Sequence, residues 1–122
     1  MPKYVTFFSY TSEAWARMVK RPDDRTEAVR SAIEAVGGEL LAFYWMLGHS
    51  DGFAIYSVPH EIAAASLGAA VAGTNQLARQ QTFQVLDMNE GKQALELAGE
   101  VARSYRPPGA PRDWREGYDQ LG

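Results

Sequence analysis

The stretch YWMLGHSDGFAIY, residues 44–56, joins two apolar, aromatic-rich runs through Gly48-His49-Ser50-Asp51-Gly52. Such runs on either side of a short glycine-flanked segment read as the two strands of a β-hairpin. Glycines at both ends permit positive φ, and Ser50 and Asp51 hydrogen-bond their own backbone, which suits a tight loop. That geometry accounts for every residue of the junction except His49. The first strand of the hairpin is expected over Glu39 to Leu47 and the second over Phe53 to Val58, where Pro59 cannot donate to a ladder and ends it.

Toward the N-terminus, Tyr4 to Tyr10 (YVTFFSY) is dense in β-branched and aromatic residues and predicts another strand. Thr11-Ser12-Glu13 supplies a hydroxyl cap and a first-turn carboxylate for a helix with Trp15, Met18 and Val19 as its apolar stripe. Pro22 is expected to restart or kink that helix, with Asp23 and Asp24 at the positive end of its dipole. Val29, Ala32, Ile33 and Val36 give its core face, and Gly37-Gly38 stops it.

Beyond the hairpin, His60 to Ala72 is an alanine-rich helix in which Gly68 is a local cost without a visible gain. Leu77 to Leu86 (LARQQTFQVL) follows as the most polar strand. Asp87 and Glu90 form a capping-box pattern for a helix over Met88 to Ser104, with Ala94, Leu97, Ala98 and Val101 as its buried stripe. Residues 105–122 open with a proline-rich segment and are expected to form an extended tail after a domain spanning 1–104.

The order β-α-β-β-α-β plus a helix defines an α+β class, the ferredoxin-like pattern of one four-stranded antiparallel sheet with two helices on one face. Strand Glu39 to Leu47 is apolar on both parities: Leu41, Phe43, Trp45 and Leu47 alternate with Leu40, Ala42, Tyr44 and Met46. Helices cover one face only, so the other is expected to meet a second copy of the chain, making a homodimer or higher homo-oligomer. A chain of 122 residues keeps much of its surface wet and gains from such assembly.

A net charge of −3 offers no basic field for nucleic acid, and the absence of cysteine removes disulfides, thiolate metal sites and cysteine nucleophiles. No apolar run approaches the roughly 18 residues of a membrane helix, and the start carries no signal-peptide layout; a cytoplasmic protein without membrane contact is expected. The only other histidine, His60, lies a strand away from His49, roughly 20 Å at about 3.3 Å per residue, so the two of one chain hold no common metal. No cofactor is expected.

Small-molecule binding, extending to catalysis without a cofactor, is the leading functional expectation. His49 is the candidate acid/base with Asp51 as its partner, and Arg79 is the candidate holder of an anionic group. Gln81, with Tyr44 and Tyr56, supplies further candidate ligand contacts in an aromatic-walled pocket; the alternate set Gln80, Thr82 and Gln84 presents polar groups on the opposite parity. A stand-alone ligand sensor without catalysis, and a docking protein acting through its tail, are the alternatives.

The segment FYWMLGHSDGFAIYSVP, preceded by AVGGELLAFY and followed by the alanine-rich helix, resembles the GYD-domain family over about Tyr4 to Glu90. The resemblance implies a ferredoxin-like fold within the dimeric α+β barrel superfamily, and no particular activity. It matches Gly48 and Asp51 to the ends of the Gly-x-Tyr-Asp element; Ser50 stands where the family tyrosine belongs and His49 fills the variable position. A similar hairpin occurs in the effector-binding domains of Lrp/AsnC-type regulators, whose DNA-binding helices this chain lacks.

Overall fold

A computed structural model describes residues 1–119. The elements are β1 (Lys3–Tyr10), α1 (Ser12–Lys20), α2 (Thr26–Ala35), β2 (Glu39–Trp45), β3 (Gly52–Ser57), α3 (Glu61–Ala72), β4 (Leu77–Val85), α4 (Met88–Ser104) and α5 (Trp114–Asp119). The four strands form one sheet in the order β2-β3-β1-β4, with every neighbouring pair antiparallel. That order is the ferredoxin-like arrangement.

The chain divides into two compact units, Met1–Val85 with the whole sheet, and a second from Leu86 onward with α4 and α5. In the first, Tyr4, Ile33, Ala54, Tyr56, Val58, Ala63 and Ala64 make the buried core, with Val29, Leu40, Phe43 and Leu67 packed against it. The small Ala63 and Ala64 bring α3 close to the strands. A Cβ on Gly38 would lie 2.5 Å from the Ser57 carbonyl oxygen, so glycine alone allows the α2–β2 turn to lie against β3.

Caps explain most helix starts. The Thr11 hydroxyl accepts from Ala14 N at 3.1 Å, and the His60 ring does the same for α3, its Nδ1 accepting from Ala63 N at 3.2 Å. The expected capping box of α4 is formed by Asp87 and Glu90. Pro22 does not open a helix. The chain between Lys20 and Thr26 is irregular, and α2 begins where Asp24 Oδ1 accepts from Thr26 N at 2.9 Å and from its hydroxyl at 2.5 Å. A side chain that satisfies two donors at Thr26 outweighs the preference of proline for a first turn.

The register departs from simple alternation in β2. Leu40 faces Tyr56 and Ala42 faces Ile55, with Leu41 as the extra residue of a bulge. Leu40 therefore shares the helix-covered face with Phe43 and Trp45, whereas strict alternation would have put it on the other. A second irregularity lies between Ser9 and Tyr10 where β1 pairs β4.

In the second unit no residue of α4 is buried, and Leu97 and Val101 are exposed, contrary to the buried stripe expected there. Apolar residues at helical spacing mark a face that can be covered, without specifying that the same chain covers it. The segment after Tyr105 is not extended throughout, because α5 forms a short helix over Trp114–Asp119; residues 120–122 of the expected tail lie outside the described residues. No helix among the described residues is long and apolar enough to cross a membrane.

Candidate functional site

The two faces of the sheet present different chemistry. The face away from α2 and α3 carries a row of rings across all four strands, Tyr44, Phe53, Phe7 and Phe83, with successive centroids 5.6, 6.0 and 6.3 Å apart. Cross-strand aromatic pairs at these separations are mutually favourable. Tyr44 and Phe83 remain 61% and 52% exposed.

The β2–β3 junction lies at one end of this face, and its bonds give each residue a distinct task. Met46 N donates to Asp51 O at 2.8 Å, closing the loop, and Asp51 N donates to Phe8 O at 2.9 Å. The Asp51 carboxylate accepts from Tyr10 N at 2.9 Å, supplying a partner to β1 beyond the last β3 residue paired with it. Asp51 thus extends the β1–β3 ladder with its backbone and its side chain together.

His49 pairs with its neighbour instead. Its Nδ1 is 2.8 Å from Oγ of the buried Ser50, and its ring is 5.2 Å from that of Phe7. The Arg79 guanidinium donates to the His49 carbonyl oxygen and reaches Ser50 Oγ at 3.5 Å, tying the loop to β4. No hydrogen bond among the described residues joins His49 to Asp51. Ser50, read in the sequence as a turn residue, is the member of this cluster that sequence patterning missed, since nothing local marks a loop serine as buried.

On the covered face, a cavity of about 250 Å³ lies between the sheet and helices α2 and α3. Its walls are Phe8, Val29, Ile33, Phe43, Leu67 and Val71, and the small Ala28, Ala32 and Gly68 on the helices leave the space open. Gly68 therefore contributes volume, and its carbonyl accepts from Gln80 Nε2 at 2.8 Å. Along the strands runs a polar strip: Thr6 Oγ1 is 2.9 Å from the Tyr56 hydroxyl and 2.8 Å from Thr82 Oγ1. These side chains meet because Thr6 faces Thr82 across β1–β4, with Tyr56 two residues along on the same face of β3.

At the end of the cavity formed by the last residue of β1 stand Tyr10, Arg25, Gln76 and Leu77. Burial holds the Tyr10 phenol above its ordinary range; the Arg25 guanidinium pulls it back down and the Asp51 carboxylate pushes it up. Arg25 is the only charged residue lining this cavity, which has no carboxylate or histidine among its lining residues.

The six residues singled out in the sequence do not converge. Tyr56 lies in the cavity; Tyr44 and Gln81 lie on the opposite face, opposite Phe53 and Phe7; His49 and Arg79 form the loop cluster; Asp51 binds β1. Gln80 and Thr82 reach the cavity on the parity opposite to Gln81, whereas Thr6 and Arg25 were not legible as site residues. No group of three or more potential metal-ligating side chains occurs among the described residues.

A family model described as GYD domain matches residues 4–95, a span that takes in the sheet, the junction and the cavity. No curated protein matches the chain.

Proposed function

The chain belongs to the GYD domain family, and from that premise we propose that it is a homo-oligomeric protein that binds a small apolar or aromatic molecule in the cavity between the sheet and helices α2 and α3. The observation that carries this reading is the composition of the cavity: apolar walls around one strip of linked hydroxyls, Thr6, Tyr56 and Thr82. Small-molecule sites combine such walls with a few placed polar groups. At about 250 Å³ the cavity suits a ligand of one or two rings, since an apolar cavity of about 150 Å³ takes up benzene.

Hydroxyls and the Gln80 amide hydrogen-bond an uncharged group such as an alcohol or a ketone, but they are poor acids and bases near neutrality. The geometry thus favours binding or sensing over proton-transfer catalysis at this site. Homo-oligomerisation is supported by the aromatic row on the other face, whose exposed Tyr44 and Phe83 give a flat apolar surface suited to a second copy.

The test is thermal denaturation with a panel of one- and two-ring alcohols and ketones, on the wild type and on Ala32→Phe, which fills the cavity from α2. At least one compound is expected to raise the wild-type Tm and not that of the variant. Equal shifts in both proteins, or none in either, would refute the cavity reading. For the assembly, Phe83→Glu should reduce the sedimentation coefficient to that of a single chain.

A further inference from the structure

We infer that the cavity selects an aromatic carboxylate, its ring system packed against the adjoining Phe8 and Phe43 rings of the wall and its carboxylate paired with Arg25 at the rim. The inference rests on the cavity reading above and adds a charge and an orientation to its ligand. A cavity with one cation and no carboxylate among its lining residues favours an anion over its neutral isostere, since the anion gains a charge-assisted partner there.

Three observations support the assignment. Arg25 and Tyr10 line the cavity and also two depressions that adjoin it, so three open spaces of this unit share that pair. Among the described residues the guanidinium is paired with Asp23, at 3.6 Å, with both side chains about half exposed or more. Such a pair contributes little in water, and a guanidinium has five donors, so an incoming carboxylate adds to or replaces this contact at small cost. Asp24, also beside the rim, is anchored to the start of α2 through the two Thr26 bonds to its Oδ1 and forms no ion pair with Arg25 among the described residues.

The ring preference comes from the walls and the rim. Phe8 and Phe43 lie 5.8 Å apart in the cavity wall, and Tyr10 beside them packs against Trp45, which lines the adjoining depression with Arg25, and against Trp15, the two indoles being stacked at 5.5 Å. Trp45 is 60% exposed, an uncommon setting for an indole and one that suits contact with an aromatic ligand entering past Arg25. The far end of such a ligand meets the Thr6–Tyr56–Thr82 hydroxyls, so an acid bearing a hydroxyl or carbonyl on the opposite edge of its ring satisfies both ends.

Isothermal titration calorimetry with isosteric pairs tests this: benzoate against benzamide, and 2-naphthoate against 2-naphthamide, on the wild type, Arg25→Gln and Arg25→Lys. The wild type is expected to bind each acid roughly tenfold more tightly than its amide, with the ratio falling as salt rises. Arg25→Gln should abolish the ratio by weakening the acids alone, and Arg25→Lys should restore part of it. Acids and amides binding equally to the wild type, or a ratio that survives Arg25→Gln, would overturn the carboxylate assignment while leaving the cavity reading intact. Saturable binding of none of the four would overturn both.

Discussion

The two faces of one sheet are built from the same kinds of residue and reach opposite outcomes. On the covered face, Phe8 is 8% exposed and Tyr56 4%, and alanines and a glycine on the helices leave a cavity between the layers. On the other face, rings of similar size stand in a row whose two end members are largely exposed. The difference lies in what each face is packed against. Small helix residues opposite large strand residues make a container, and large residues in a flat row make a contact surface. One sheet thus separates a cavity-lining face from an exposed aromatic face by the alternation of its side chains.

Truncating one ring on each face probes this contrast most strongly. Phe8→Ala should cost about 3–5 kcal/mol in denaturant unfolding, the usual penalty for emptying a buried phenylalanine site. Phe83→Ala should change the unfolding of dilute protein by less than about 1 kcal/mol and instead weaken self-association in sedimentation velocity. Equal losses of stability from both would erase the distinction between the faces.

Filling the covered face is the next largest effect. A Cβ at Gly52 would lie 2.6 Å from the Phe8 ring and 2.8 Å from the Tyr44 carbonyl oxygen, so Gly52→Ala should destabilise by about 1–3 kcal/mol. Tyr56→Phe removes one hydroxyl from the strip while Thr6 keeps Thr82, so it should cost about 1 kcal/mol and lower affinity for any ligand held there.

The smallest effect is a pH dependence at the start of α2. The two Thr26 hydrogen bonds hold the Asp24 carboxyl below its usual range. A group depressed in the folded state contributes stability that is full above its unfolded pKa of about 3.9 and is lost as pH falls through the folded value. Denaturant midpoints of Asp24→Asn should therefore converge with those of wild type in acid and separate slightly above about pH 4.

Much of the fold was legible because it rests on local rules. The strand runs, the Thr11 cap and the Asp87–Glu90 box each depend on neighbours in sequence, and the strand order follows from their succession. The site was less legible because it depends on which parity faces which layer. Gln80 and Thr82 could be named only as one of two sets, and Thr6 looks like any residue of an aromatic strand until Thr82 and Tyr56 are brought beside it. Asp51 and His49 are two residues apart, yet the Tyr10 amide claims one and Ser50 the other. Arg25 gained its position only because α2 starts at Thr26 and not at Pro22.

The bulge at Leu41 acts as a phase correction in the alternation of β2. The strand carries one residue more than its ladder can pair, and that surplus returns Phe43 and Trp45 to the side already occupied by Leu40. Removing Leu41 leaves Leu40 opposite Tyr56 and Ala42 opposite Ile55, so each remaining side chain keeps its face. A second single-residue loss finds no surplus and inverts part of the strand, exchanging container for contact surface. The strand therefore has slack for one deletion, and its length is free to vary by that one step before the separation of its faces fails.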